Sequence, residues 1–150
     1  MVAQPDNNTL VLRRTFEASP NTVYQAWTSP DAMRQWLRPT PDFSHNVFEV
    51  DLRVGGKYRI GFQSPEGQRD TVAGEFQEIE PNKRLVYSWI WEKPHDYADV
   101  ETQVTVEFNS QDTGTELVLT HRRFAATEMR DHHIMGWSGA IDQLVEFVSN

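Results

Sequence analysis

Residues 126–148, ATEMRDHHIMGWSGAIDQLVEFV, read as one long amphipathic helix. At 100° per residue, Met129, His133, Gly136, Trp137, Ala140, Ile141, Leu144, Phe147 and Val148 fall within about 140° of arc, the stripe of a helix laid on a core. A helix of ~23 residues is ~35 Å long, enough to cross most of a small sheet. The two halves of the stripe differ. His133, Gly136 and Trp137 set an imidazole, a gap and an indole side by side, whereas Ala140 to Val148 reads as plain core.

Ahead of this helix the period is two. Candidate strands are Val47 to Asp51, Lys57 to Gln63, Thr71 to Glu80, Leu85 to Glu92, Val100 to Asn109 and Thr115 to Phe124. Val54-Gly55-Gly56, Ser64-Pro65-Glu66-Gly67, Pro81-Asn82-Lys83 and Ser110 to Gly114 separate them with turn chemistry. Such short connections imply an antiparallel meander. Further toward the amino terminus, Thr9 to Phe16 is strand-like. Ser19-Pro20 and Ser29-Pro30 are two helix starts, opening short helices over Asn21 to Thr28 and Pro30 to Leu37. Pro39 and Pro41 stop the second. The expected architecture is α+β, in the order β-α-α-β6-α, as a single domain over residues 9–150 behind a disordered tail over residues 1–8.

Alternation assigns faces to the strands. Leu85, Tyr87, Trp89 and Trp91 share one face, as do Tyr58, Ile60 and Phe62, and as do Leu117, Leu119 and His121. The inward set is aliphatic at one end of the strands and aromatic or polar at the other. A straight helix on a twisted sheet diverges from it, so a cavity is expected at the aromatic end.

Composition narrows the function. The chain has no cysteine, which excludes thiol catalysis, disulfides and Cys-ligated zinc. A net charge of -8 argues against a nucleic-acid partner, since an acidic surface repels phosphate. The amino terminus lacks the charged and apolar regions of a signal peptide, and no apolar run is long enough to insert in a membrane, so a cytoplasmic location is expected. Five Trp, eight Phe and four Tyr imply either an aromatic core or an aromatic-lined cavity.

Asp51 to Tyr58 (DLRVGGKY), Gly74 to Pro81 (GEFQEIEP) with Arg84 to Trp89 (RLVYSW), Gly114 to Leu117 (GTEL), and His133 with Gly136-Trp137 and Leu144 together resemble bacterial proteins similar to the carboxy-terminal domain of the Aha-type chaperone ATPase activators. The resemblance covers roughly residues 9–148. It implies membership of the START/SRPBCC superfamily and its helix-grip fold, a curved antiparallel sheet wrapped around a long C-terminal helix and enclosing a hydrophobic ligand cavity. Function varies too widely across that superfamily to follow from the fold. The activators use a separate N-terminal domain in chaperone binding. Nothing before Thr9 supplies one, so a chaperone partner is not the first expectation.

Three functions remain on these grounds. The first is binding of a small hydrophobic molecule, aromatic, polyketide-like or lipid-like, in a cavity lined by Tyr58, Phe62, Tyr87, Trp89, Trp91, His121, His133 and Trp137, with Trp36 and Phe43 as a gate beside the proline-rich loop. The second is a cyclase- or hydrolase-type enzyme using His121 or His133 as acid–base, although no catalytic residue is assigned. The third is a co-chaperone-like interaction module. No cofactor or metal is expected: His132 and His133 diverge by about 100°, and neither HxxxH nor HExxH spacing occurs. Met135 and Val145 lie off the core stripe and are either isolated exposed residues or a homodimer contact.

Overall fold

The computed structural model describes residues 6–149. Seven strands form one antiparallel sheet: β1 (Thr9–Phe16), β2 (Ser44–Val50), β3 (Lys57–Gln63), β4 (Arg69–Glu80), β5 (Arg84–Trp91), β6 (Thr102–Gln111) and β7 (Gly114–Arg122). Two short helices, α1 (Pro20–Thr28) and α2 (Pro30–Trp36), lie between β1 and β2, and the long helix α3 spans Thr127–Ser149. The order across the sheet is β1-β7-β6-β5-β4-β3-β2. Strands β2 to β7 are therefore a meander, and β1 returns to pair with β7, Thr9 facing Arg122 and Phe16 facing Thr115. The sequence-adjacent strands β1 and β2 end on opposite edges, so α1 and α2 must carry the chain from one edge to the other.

Local chemistry explains the helix pair. Ser19 accepts from the backbone N–H of Thr22 at 3.2 Å and caps α1. Ser29 closes α1 through its N–H on Gln25 O (2.9 Å) and starts α2 by accepting from Met33 N (2.8 Å). Register shifts between His45 and Val47 and between Phe76 and Glu78 insert extra residues into β2 and β4 and bend the sheet around its contents. Gly74, opposite Tyr58 in the β3–β4 ladder, lets that ring lie flat over the strand; a Cβ there would sit 2.6 Å from Tyr58 Cε2 and 2.0 Å from Ser88 O.

The concave face holds the core. Leu10, Leu85, Val104, Val106, Leu117 and Leu119 come from the sheet, Val23, Trp27 and Trp36 from the short helices, and Met129, Trp137, Ile141 and Leu144 from α3. Trp27 bridges the layers, stacked on Trp137 at 6.0 Å and packed against Trp36 at 4.7 Å. This is the α+β helix-grip arrangement expected above.

Several boundaries and one stretch of core differ from expectation. β2 begins at Ser44 rather than Val47, and β6 at Thr102 rather than Val100. The plain core expected through Val148 is fully buried only to Leu144: Val148 packs partly buried against the core, and Phe147, on the apolar stripe, is 36% exposed in the last turn of α3. Val145, read as off the stripe, is partly buried against the core, whereas Met135 is 73% exposed. Of the tail expected over residues 1–8, residues 1–5 lie outside the described residues. Asp6 and Asn8 are tied down, with Asp6 O accepting from Arg130 Nη1 (2.7 Å) and Asn8 O from Phe124 N (3.1 Å).

Candidate functional site

The first half of α3 places His133 and Trp137 over the ends of β5, β6 and β7, as the stripe requires. There the structure brings together Trp89, Trp91, His121, His133 and Trp137 and fills the space between them. Trp91 Nε1 donates to His133 Nε2 at 2.9 Å, so that nitrogen carries no hydrogen, and His133 Nδ1–H is left to donate to Met129 O at 2.7 Å. Trp137 Nε1 donates to His121 Nδ1 at 3.1 Å. His121 Nε2–H then points at Thr102 Oγ1 (2.7 Å), whose own hydrogen goes to Trp89 O (2.7 Å).

Each imidazole is thus a neutral single tautomer with both nitrogens engaged. Burial holds His121 well below the ordinary imidazole range, reinforced by the repulsion a charged His133 would exert. Burial also holds His133 down at about 4, against a smaller upward pull from the Met129 carbonyl. Protonating either ring would turn an indole N–H into a donor facing a donor. An acid–base residue needs a nitrogen within reach of a substrate; neither ring offers one, and the enzyme reading lapses for this pair.

Open space lies elsewhere. Between the helix pair and strands β3 to β5 is a small cavity walled by Trp27, Thr28, Met33 and Leu37 on one side, by Tyr58, Ile60, Phe76, Leu85, Tyr87 and Trp89 on the other, and by Val50 and Leu52 at its mouth. The centre of a water molecule can reach about 20 Å³ of it, room for about one water. Its hydroxyls are hydrogen-bonded: Thr28 Oγ1 donates to Tyr24 O (2.8 Å), Tyr58 Oη to Ser88 O (2.6 Å), and the Tyr87 hydroxyl is hydrogen-bonded by the Trp27 side chain. Burial pushes both phenols above their ordinary range, so they stay neutral.

Of the residues singled out from sequence, Tyr58, Tyr87 and Trp89 line this cavity. Phe62, Trp91, His121, His133 and Trp137 do not; the four on and opposite α3 interlock with Trp89 through rings 5.1–6.5 Å apart, and Phe62 lies 6.1 Å from Trp91. Trp36 is fully buried with Nε1 on Ala26 O at 2.8 Å, which makes it an anchor of the helix pair and not a gate. Phe43 instead borders a wide polar groove of about 450 Å³ beside β2, with Arg34, Arg38, His45 and Phe48. Arg38 donates to the carbonyls of Gln35 (2.7 Å), Pro41 (3.1 Å) and Phe43 (3.2 Å) and so pins the loop.

Sequence reasoning missed Trp27, Met33, Leu37, Val50 and Leu52. Trp27 and Met33 were legible as apolar positions on the short helices, but nothing local says that those helices, and not α3, face the remaining gap. Among the described residues no group of three or more His, Asp or Glu could hold a metal ion, and no helix is long and apolar enough to cross a membrane.

The fold recurs in solved structures. A Chromobacterium violaceum protein is 27% identical, with a TM-score of 0.84, covering 95% of this chain and 99% of that one. A Rhodobacter sphaeroides protein is 25% identical with a TM-score of 0.83, covering 99% and 97%. The human activator of 90 kDa heat shock protein ATPase homolog 1 is 25% identical over 131 residues, 85% of this chain. The chain spans only about a third (33%) of that relative's length. The family model described as Activator of Hsp90 ATPase homolog 1-like protein matches residues 17–149, from the end of β1 through α3. With nearly every element of the fold inside that match, the chain belongs to the Activator of Hsp90 ATPase homolog 1-like family.

Proposed function

We propose that the domain binds a small apolar molecule in the cavity between α1–α2 and strands β3 to β5. The observation that carries this reading is the wall itself: carbon from Met33, Leu37, Ile60, Phe76 and Leu85, opening beside the half-buried Val50 and the 39% exposed Leu52. Ligand pockets of ~300–1,000 Å³ are usual, so the closed cavity must widen. The parts that can yield are the α2 wall and the mouth. Met33 and Leu37 stand on the two-turn helix α2 and its C-cap, and Leu52 on the β2–β3 connection. Flexible apolar side chains at a rim re-pack at small cost.

Titration with small apolar probes such as indole or naphthalene, followed by fluorescence of Trp27 and Trp89, tests this. Saturable quenching that Leu37→Trp abolishes by filling the cavity supports it. The absence of saturable quenching by any such probe overturns it.

A second reading draws on the human relative, whose name describes an activator of a chaperone ATPase. Exposed Val54 (62%) and Leu52 on one connection supply an apolar contact for a protein partner. Val54→Asp would weaken binding to a purified chaperone of that class and leave probe binding intact; equal chaperone binding by wild type and variant would count against this reading.

A further inference from the structure

Trp89 stands on β5, 6% exposed, and forms part of the cavity wall. Its indole N–H is buried and makes no hydrogen bond. The other four indoles are paired: Trp27 with the Tyr87 hydroxyl, Trp36 with Ala26 O, Trp91 with His133 and Trp137 with His121. A chain that pairs four indoles and leaves the buried N–H of a fifth, on a residue that lines a cavity, without a partner calls for an explanation, because an unmade buried donor costs more than the bond would return.

The space admits one water, which can take the Trp89 hydrogen and donate to the hydroxyl oxygens of Thr28, Tyr58 or Tyr87, because a hydroxyl that has given its hydrogen to a carbonyl still accepts; a ligand that carries its own acceptor takes that water's place. A charged ligand does not fit, since no cationic side chain lines the cavity and an unpaired buried charge is strongly disfavoured.

We propose that Trp89 Nε1–H is the polar anchor of this site, and that the ligand is a neutral, compact molecule with a single oxygen acceptor, a ketone, aldehyde, ester or ether. Its oxygen takes the Trp89 hydrogen and its hydrocarbon body lies among Met33, Leu37, Ile60 and Leu85. This rests on the ligand-binding reading above and adds the chemical class. A site with a waiting donor discriminates against the analogue that lacks the acceptor.

Cyclohexanone and methylenecyclohexane have the same shape and differ only in C=O against C=CH2, which makes them suitable probes. Their affinities for the full chain and for Trp89→Phe are compared, and the Trp89 Nε1–H resonance of the wild type is followed by NMR. The expected result is a saturable downfield shift of that resonance with the ketone alone, and a ketone-to-hydrocarbon affinity ratio that falls about five- to tenfold in the variant, the share of one neutral hydrogen bond. If both probes bind, the ratio is unchanged and the resonance does not move, the anchor is overturned while ligand binding stands. If neither probe binds, the ligand-binding reading fails and this inference with it. The wild-type resonance decides the matter even if the variant folds poorly.

Discussion

The indole N–H of Trp91, on the last residue of β5, donates to Nε2 of His133 on α3 across 42 positions of chain at 2.9 Å. That one bond decides the chemistry of the ring. It makes His133 an acceptor on Nε2 and a donor on Nδ1, a neutral structural residue joining helix to sheet, and removes it from any acid–base role.

Stability is expected to fall as the pH drops below the ordinary imidazole range. His133 and His121 are neutral when folded and ordinary imidazoles when unfolded, so the unfolded chain takes up protons first. For His133 the stabilisation is complete above pH 6.5, declines as the pH falls toward about 4, and levels off below that; the span corresponds to about 3 kcal/mol. Urea unfolding between pH 7.5 and 4.5 measures it. His133→Gln, which does not titrate, should show a shallower pH dependence. Equal slopes in wild type and variant would refute the neutral assignment.

Thr102 is fully buried and links His121 Nε2–H to Trp89 O. Thr102→Val keeps the shape and deletes the link, leaving the buried His121 Nε2–H without a partner, at an expected cost of about 1–3 kcal/mol. Thr102→Ser, which keeps the hydroxyl, should recover most of it. Guanidinium unfolding midpoints of the two variants give the comparison, and a neutral Thr102→Val would show the chain of bonds to be dispensable.

Two glycines of α3 should respond oppositely to alanine. A Cβ at Gly136 meets nothing within 4 Å, so Gly136→Ala should stabilise the helix by about 0.5–1 kcal/mol. At Gly139 a Cβ would lie 2.0 Å from Pro39 O, where helix and loop backbones touch. Gly139→Ala must push the loop away, outweighing the propensity gain by about 1–3 kcal/mol. Thermal melts of both variants test the pair; a shared sign would place the Pro39 loop wrongly.

Leu37→Ala, in the cavity wall and 5% exposed in the native chain, should cost about 2–4 kcal/mol of stability and enlarge the cavity. An enlarged dry apolar cavity takes up xenon or benzene, so saturable benzene binding should appear or strengthen in this variant. Isothermal titration against wild type measures it, and no gain in binding would mean that Leu37 does not border the space assigned to it.

Much of the architecture was legible in local pattern. Period two over β3 to β7, the Ser-Pro helix starts, the glycine- and proline-bearing turns and the apolar stripe of α3 each reflect a steric or solvation preference that acts within a few residues. Strand β3 and strand β1 have the expected limits. The limits of β2 were not legible, because Ser44 to Asn46 enters the ladder through a bulge and its pairing with β3 outweighs its polar composition. Phe147 lies on the apolar stripe and yet reaches solvent. A helical wheel states which side of α3 faces the core, not how far along the helix the core extends.

The candidate site divides along the same line. The order of residues identified the aromatic and imidazole groups that point inward, since facing is a property of strand and helix period. Whether those groups meet each other or leave a gap depends on contacts between distant segments: Trp91 with His133, Trp137 with His121, Trp89 with Thr102. Those bonds close the histidine end of the grip. The space that remains falls between α1–α2 and strands β3 to β5, because two short helices span a curved sheet less completely than one long helix does, and a void has no partner atoms in the sequence to announce it.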